Sequence, residues 1–263
     1  MLSAENLRKD PNKEVKALGK ILDTAVDISE ATQSSLWVIY GKSNTGKTWL
    51  AATFPKPLLY LQIGDDGANT IAKVKGVKII HINTVEDLKT VAEELRKDKK
   101  YKTVVVDTFS MVVTEWTSQK VVSKGKRMTQ QNWGELKTDT EEQVKAWAKV
   151  AKSKIVVLNC HESMDTIEGM EDEIAPDGRP SVSKGARTYL EGMANFGIHT
   201  VKIQKEVENK KDGSTKTVIK YAADIGPNPY YWTKLQIDPG IKVPNRIINP
   251  TYDKIMEIVS PGE

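Results

Sequence analysis

The sequence predicts an α/β fold: a mostly parallel sheet covered by helices, with a β-hairpin extension toward the C-terminus. Three observations lead there. Short, largely apolar runs at 36–40, 103–106 and 155–160 have the near-continuous hydrophobicity of strands buried on both faces. Segments of helical periodicity separate them, as the crossovers between parallel strands require. The first run leads into Gly41-Lys42-Ser43-Asn44-Thr45-Gly46-Lys47-Thr48, a match to G-x-x-x-x-G-K-[ST], and then into the helix-compatible Trp49-Leu50-Ala51-Ala52.

Taken in order, residues 1–33 are polar, with apolar positions at Val15, Leu18, Leu22 and Val26, and predict an N-terminal helical arm. Residues 34–226 form the core. Its further strands are expected at 58–63, after Pro55-Lys56-Pro57, and at 77–82. Val85 to Leu95 has helical spacing with Asn83 or Thr84 as N-cap, and 139–150 reads as another helix. After Gly197 the pattern becomes alternating, at 199–207 and 216–222, around the turn Asn209-Lys210-Lys211-Asp212-Gly213. Residues 227–263, rich in Pro, Tyr and Trp, are expected as a peripheral tail.

The 263 residues allow a substantial core in one large or two small domains. Basic and acidic residues nearly balance, 39 against 35, and a net charge of +4 permits nucleic-acid binding without arguing for it. No apolar run approaches the ~20 residues of a membrane span, and Met1-Leu2-Ser3-Ala4-Glu5 lacks the charged-then-apolar pattern of a signal peptide. The single cysteine, Cys160, excludes a disulfide framework or a cysteine metal site and fits a reducing cytosol. A cytoplasmic protein without membrane partners is expected.

The glycine-rich run carries the chemistry. Its glycines let the backbone curl so that successive N–H groups meet phosphate oxygens. Lys47 would sit at the β/γ-phosphates and the Thr48 hydroxyl on Mg²⁺, with Gly41 to Trp49 as the nucleotide-binding segment. In Tyr101-Lys102-Thr103-Val104-Val105-Val106-Asp107-Thr108 a buried strand ends in a carboxylate, the Walker B arrangement, and Asp107 becomes the second Mg²⁺-holding residue. Hydrolysis also needs a group that orients or deprotonates water. The strand at 58–63 ends in Gly64-Asp65-Asp66-Gly67, where Asp66 is favoured over Asp65, and an Asx turn is the non-catalytic alternative. The run at 155–160 ends in His161-Glu162, which makes His161 a candidate γ-phosphate sensor or else a surface histidine at a strand end.

Two segments flank this core. Residues 118–135 carry Lys120, Lys124, Lys126 and Arg127 around Gly125, followed by Trp133; cations for phosphates and an aromatic for stacking suit single-stranded nucleic acid. Residues 163–187 read as a long loop, acidic at Glu168, Glu171, Asp172 and Glu173 and basic at Arg179, Lys184 and Arg187. The acidic half would repel DNA.

With these residues in place, the chain resembles the RecA-like ATPases, and among them the short phage-encoded single-strand annealing proteins of the Sak type. The resemblance rests on Gly41 to Thr48, on Tyr101 to Thr108, on Ile155-Val156-Val157-Leu158-Asn159-Cys160-His161-Glu162, and on Gly226-Pro227-Asn228-Pro229-Tyr230-Tyr231-Trp232 and Asn249-Pro250-Thr251-Tyr252. It implies a RecA-like P-loop NTPase core that uses ATP and Mg²⁺. It also implies self-assembly as a ring or filament on single-stranded DNA, with a single-strand-binding protein as a further partner, in a bacterial host cytosol. By the same resemblance 118–132 and 163–187 correspond to two DNA-binding loops, and Lys202 and Lys205 to cations that reach a neighbour's nucleotide. A helicase or helicase loader is the alternative within the superfamily. A small-molecule P-loop kinase is a third, but Arg127, Arg179, Arg187 and Arg246 are too scattered to form its lid.

Overall fold

The computed structural model describes Ala25 and residues 35–64, 67–168, 174–208 and 215–260. The expected arm at 1–33 lies outside the described residues apart from Ala25. The described chain runs β1 (Ser35–Gly41), α1 (Lys47–Ala51), β2 (Leu58–Ile63), β3 (Val77–Ile82), α2 (Val85–Leu95), β4 (Thr103–Asp107), α3 (Met111–Lys120), α4 (Gln130–Val150), β5 (Ile155–Glu168), β6 (Ile174–Pro180), α5 (Lys184–Met193), β7 (Phe196–Glu208), β8 (Thr215–Asp224), β9 (Lys234–Leu235), β10 (Arg246–Ile248) and α6 (Tyr252–Val259).

These strands form one sheet ordered β10-β8-β7-β1-β5-β4-β2-β3. From β7 to β3 every pairing is parallel, and β8 and β10 add antiparallel strands at one edge. Because side chains alternate across a strand, β1 feeds two cores. Leu36, Val38 and Tyr40 join Val104, Val106, Val156, Leu158, Trp147 and Leu190 on the face covered by α2, α4 and α5. Trp37 and Ile39 join Leu50, Phe54, Val105, Val157, Ile198 and Ile255 on the face covered by α1 and α6. Burial on both faces explains why the central strands read as largely apolar runs.

Helix boundaries follow local chemistry. Thr84 caps α2 in a capping box with Asp87, and Thr129 caps α4 in one with Asn132. The latter cap starts α4 earlier than expected, at Gln130 rather than near 139.

Four expectations are corrected. The run at 155–160 does not end at His161; β5 continues to Glu168 and pairs antiparallel with β6, Glu162 opposite Pro180 through Glu168 opposite Ile174. The 163–187 segment is therefore a hairpin followed by the start of α5, with residues 169–173 outside the described residues. Its backbone is satisfied by a strand ladder, which its charged composition concealed. Residues 118–135 are likewise not one loop, since α3 extends through Lys120 and α4 begins at Gln130. The tail, finally, is not peripheral throughout: β9 pairs with β7, β10 with β8, and α6 buries Ile255 and Val259. Its Tyr252 packs on Phe54 at 4.7 Å, within an aromatic cluster where Trp37 stacks on Phe196 at 4.0 Å.

A buried polar chain ties the edge strands together. His199 of β7 lies between Glu162 of β5 and Asp224 of β8, 3.1 Å from each, and Asp224 accepts two hydrogen bonds from Arg246 of β10. Burial pushes the Asp224 carboxyl up, but the hydrogen bonds from His199 and Arg246 outweigh it and hold the group below the usual carboxylate range. A depressed folded-state value gives stability that is present above the unfolded value and lost as pH falls through the folded one. Asp224→Asn should therefore cost about 3 kcal/mol near neutrality. In urea unfolding the gap from wild type should narrow below about pH 4.

Candidate nucleotide-binding site

β1 and β4 end, and β5 passes from its parallel to its antiparallel half, at one edge of the sheet, where ligands of open α/β folds bind. Register sets Gly41 beside His161, and Val106 beside Leu158, so that Asp107 follows at the level of Asn159. A cleft of about 470 Å³ opens there, lined by the loop from Ser43 to Thr48, by Trp49, and by Asp107, Thr108, His161 and Tyr221 among others.

The loop keeps its curl through close packing. At Gly41 an added Cβ would come within 2.5 Å of Thr200 Oγ1 and 2.9 Å of Thr45 Oγ1, so β7 presses directly on the loop's first residue. Thr45 Oγ1 lies 2.7 Å from Thr200 Oγ1, which fastens the loop to β7 a second time. Gly46 has φ +92° and supports the ring of Tyr221. Lys47 is buried, and its Nζ donates to the carbonyls of Gly41 (3.0 Å) and Lys42 (2.9 Å). Lys42, Ser43 and Asn44 are exposed, and Ser43 and Asn44 line the cleft.

Opposite the loop stands Asp107, 4% exposed. Its Oδ2 accepts from Thr48 Oγ1 (2.7 Å), Tyr60 OH (2.7 Å) and Asn159 Nδ2 (2.8 Å), and its Oδ1 from Thr108 Oγ1 (2.9 Å). Thr48 and Asp107 thus present paired hard oxygen donors, a set that fits Mg²⁺. Among the described residues no group of three or more His, Cys, Asp or Glu gathers into a metal cage. Such an ion would therefore draw its remaining ligands from phosphate oxygens and water.

Asp65 and Asp66 lie outside the described residues. Their strand, β2, is separated from β1 by β4 and β5. His161 is half-buried and lines the cleft, and its backbone N–H donates to Ser110 Oγ. Lys120, Lys124, Lys126 and Arg127 are exposed, and Trp133, in the first turn of α4, is 55% exposed. Lys184 is exposed at the start of α5, whereas Arg187 is buried on the same helix and acts electrostatically on Glu191. Lys202 is exposed on β7; Lys205 occupies the same strand, opposite Val218, with its side chain outside the described part. The Cys160 thiol is fully buried and pushed up to about 12 by that burial, an inert packing group.

Three residues of the site escaped the sequence reading. Asn159, a polar residue inside an apolar run, carried a visible signal. Tyr60 and Tyr221 carried none, because strand pairing alone brings Tyr60 to Asp107 and Tyr221 to the cleft.

A glycine-rich loop facing a strand-end carboxylate across parallel strands defines a P-loop NTPase core. The sequence matches the AAA domain family over residues 35–227, and the chain belongs to that family. No curated protein matches it. No helix among the described residues is long and apolar enough to cross a membrane.

The contact at Gly41 gives a direct test. Gly41→Ala should push the loop off Thr200 and lower stability by about 1–3 kcal/mol, with loss of ATP binding in calorimetry. Thr200→Ser, which keeps the hydroxyl, should bind ATP as wild type does.

Proposed function

We propose that this P-loop ATPase assembles on single-stranded DNA and promotes annealing or recombination, as its resemblance to the Sak-type proteins implies. One observation carries the reading. The strand bearing Asp107 runs through Thr108-Phe109-Ser110 straight into α3, a helix of 10 residues whose far end opens onto Lys120, Lys124, Lys126, Arg127 and Trp133, all exposed. At 1.5 Å per residue the basic segment begins roughly 15 Å from the nucleotide cleft. A change at the phosphate edge therefore has a short, stiff route to groups that suit phosphates and bases.

In this reading Gly41 to Thr48 cradle the triphosphate, with Lys47 at the β/γ-phosphates and Trp49 flanking them. Thr48 and Asp107 hold Mg²⁺, which when bound neutralises charge on the transferring phosphoryl group. Tyr60 and Asn159 fix the Asp107 carboxylate so that its free acceptor capacity faces the cleft. His161 sits in β5 beside Gly41 and senses the γ-phosphate; Asp66 orients water. The basic segment engages DNA together with Lys184; Arg187, buried on α5, is left out of that contact. Lys202 and Lys205 reach a neighbouring subunit's nucleotide in a ring or filament, and a single-strand-binding protein is a further partner.

Lys47→Ala should abolish ATP turnover, and unchanged turnover would overturn the nucleotide reading. Anisotropy of a labelled oligo-dT across a salt series should show tighter binding with Mg·ATP than with Mg·ADP. Replacing Lys124, Lys126 and Arg127 by Ser should weaken that binding and flatten its salt slope, since each phosphate contact contributes about 0.7 to it. Absence of oligonucleotide binding at low salt would sink the DNA role.

A further inference from the structure

The polar end of the cleft accounts for the phosphates and the cation. The other rim is aromatic. Trp49, first residue after the glycine-rich run, is 54% exposed, and Tyr221 of β8 is 43% exposed, yet both line the cleft. Large apolar surfaces left open inside a concave polar site mark where a ligand completes the packing.

Tyr221 is held firmly for a half-exposed side chain. Its backbone is paired in register with Lys202 of β7, and its carbonyl accepts from the Asn249 N–H at 2.7 Å. The period of two along β8 places it on the same face as Ala223, which packs in the core beside α1. Its ring rests on Gly46, where a Cβ would meet Cδ1 at 3.2 Å. The phosphate loop and the aromatic ring thus touch, and a nucleotide whose phosphates occupy the loop has its base within reach of the ring.

We propose that Tyr221 is the stacking platform for the base of a nucleoside triphosphate, with Trp49 bordering the same subsite. This rests on the nucleotide reading above and adds the base-binding residue to it. A planar π-face binds a base by stacking without reading its edge. Affinity gained this way depends on the ring alone and is independent of the phosphate contacts.

Calorimetry with Mg·ATP and with Mg·tripolyphosphate, which lacks base and sugar, separates the two contributions. Tyr221→Leu, which keeps an apolar group against Gly46, and Tyr221→Ala should each weaken ATP binding about tenfold, with tripolyphosphate affinity unchanged. Tyr221→Phe should stay within about twofold of wild type for both ligands. ATP affinity retained in Tyr221→Leu would overturn the proposal. So would equal loss of both ligands, which would make Tyr221 a prop for the loop. Wild-type protein that binds neither ligand would refute the nucleotide reading itself, and this inference with it.

Discussion

Asp107 must be met by donors because it is a carboxylate removed from water, and an unmatched group of that kind is costly to bury. Four side chains meet it, from β2, from β5, from the residue after it and from the first turn of α1. Satisfying this one group fixes the spacing of three strands and the position of the phosphate loop. The geometry of the cleft follows from that requirement more than from any property of the loop alone.

The sheet makes such convergence affordable. Its central strands are buried on both faces, so their tips are held by packing on two cores at once. Loops at the edge can then carry exposed and polar groups without loss of position. The same rigidity joins the cleft to its surroundings: Thr200 clamps the loop from β7, Tyr221 covers it from β8, and α3 leads from Asp107 to the basic segment. A ligand in the cleft thereby contacts elements from both the parallel and the antiparallel parts of the sheet.

The antiparallel edge has its own tie. Glu162, His199, Asp224 and Arg246 connect β5, β7, β8 and β10 through a polar chain centred on the buried His199 and Asp224, while Tyr231 of the tail stacks on His199 at 3.8 Å. This chain begins one residue beyond His161, so the hairpin extension and the tail are anchored immediately behind the cleft. The tail is structural for that reason, despite a composition that reads as surface.

Much of the fold was legible in the chain itself. Apolar runs marked β1, β4 and the first half of β5, the Gly-Lys-Thr spacing marked the phosphate loop, and helical spacing after Asn83-Thr84 announced α2, because each depends on residues close in sequence. The second half of β5, with β6, was not legible: strands rich in charge and lying off the main run of the sheet lack an apolar signature. Arg187 looked like a free cation and is buried, since only packing decides which side of α5 it faces. By itself, then, the sequence determined the α/β class, the phosphate loop and the carboxylate opposite it, all set by local periodicity and spacing. The tertiary structure alone decided the strand order, the convergence of Tyr60 and Asn159 on Asp107, and the approach of Tyr221 to Gly46, because those depend on pairing between residues far apart in the chain.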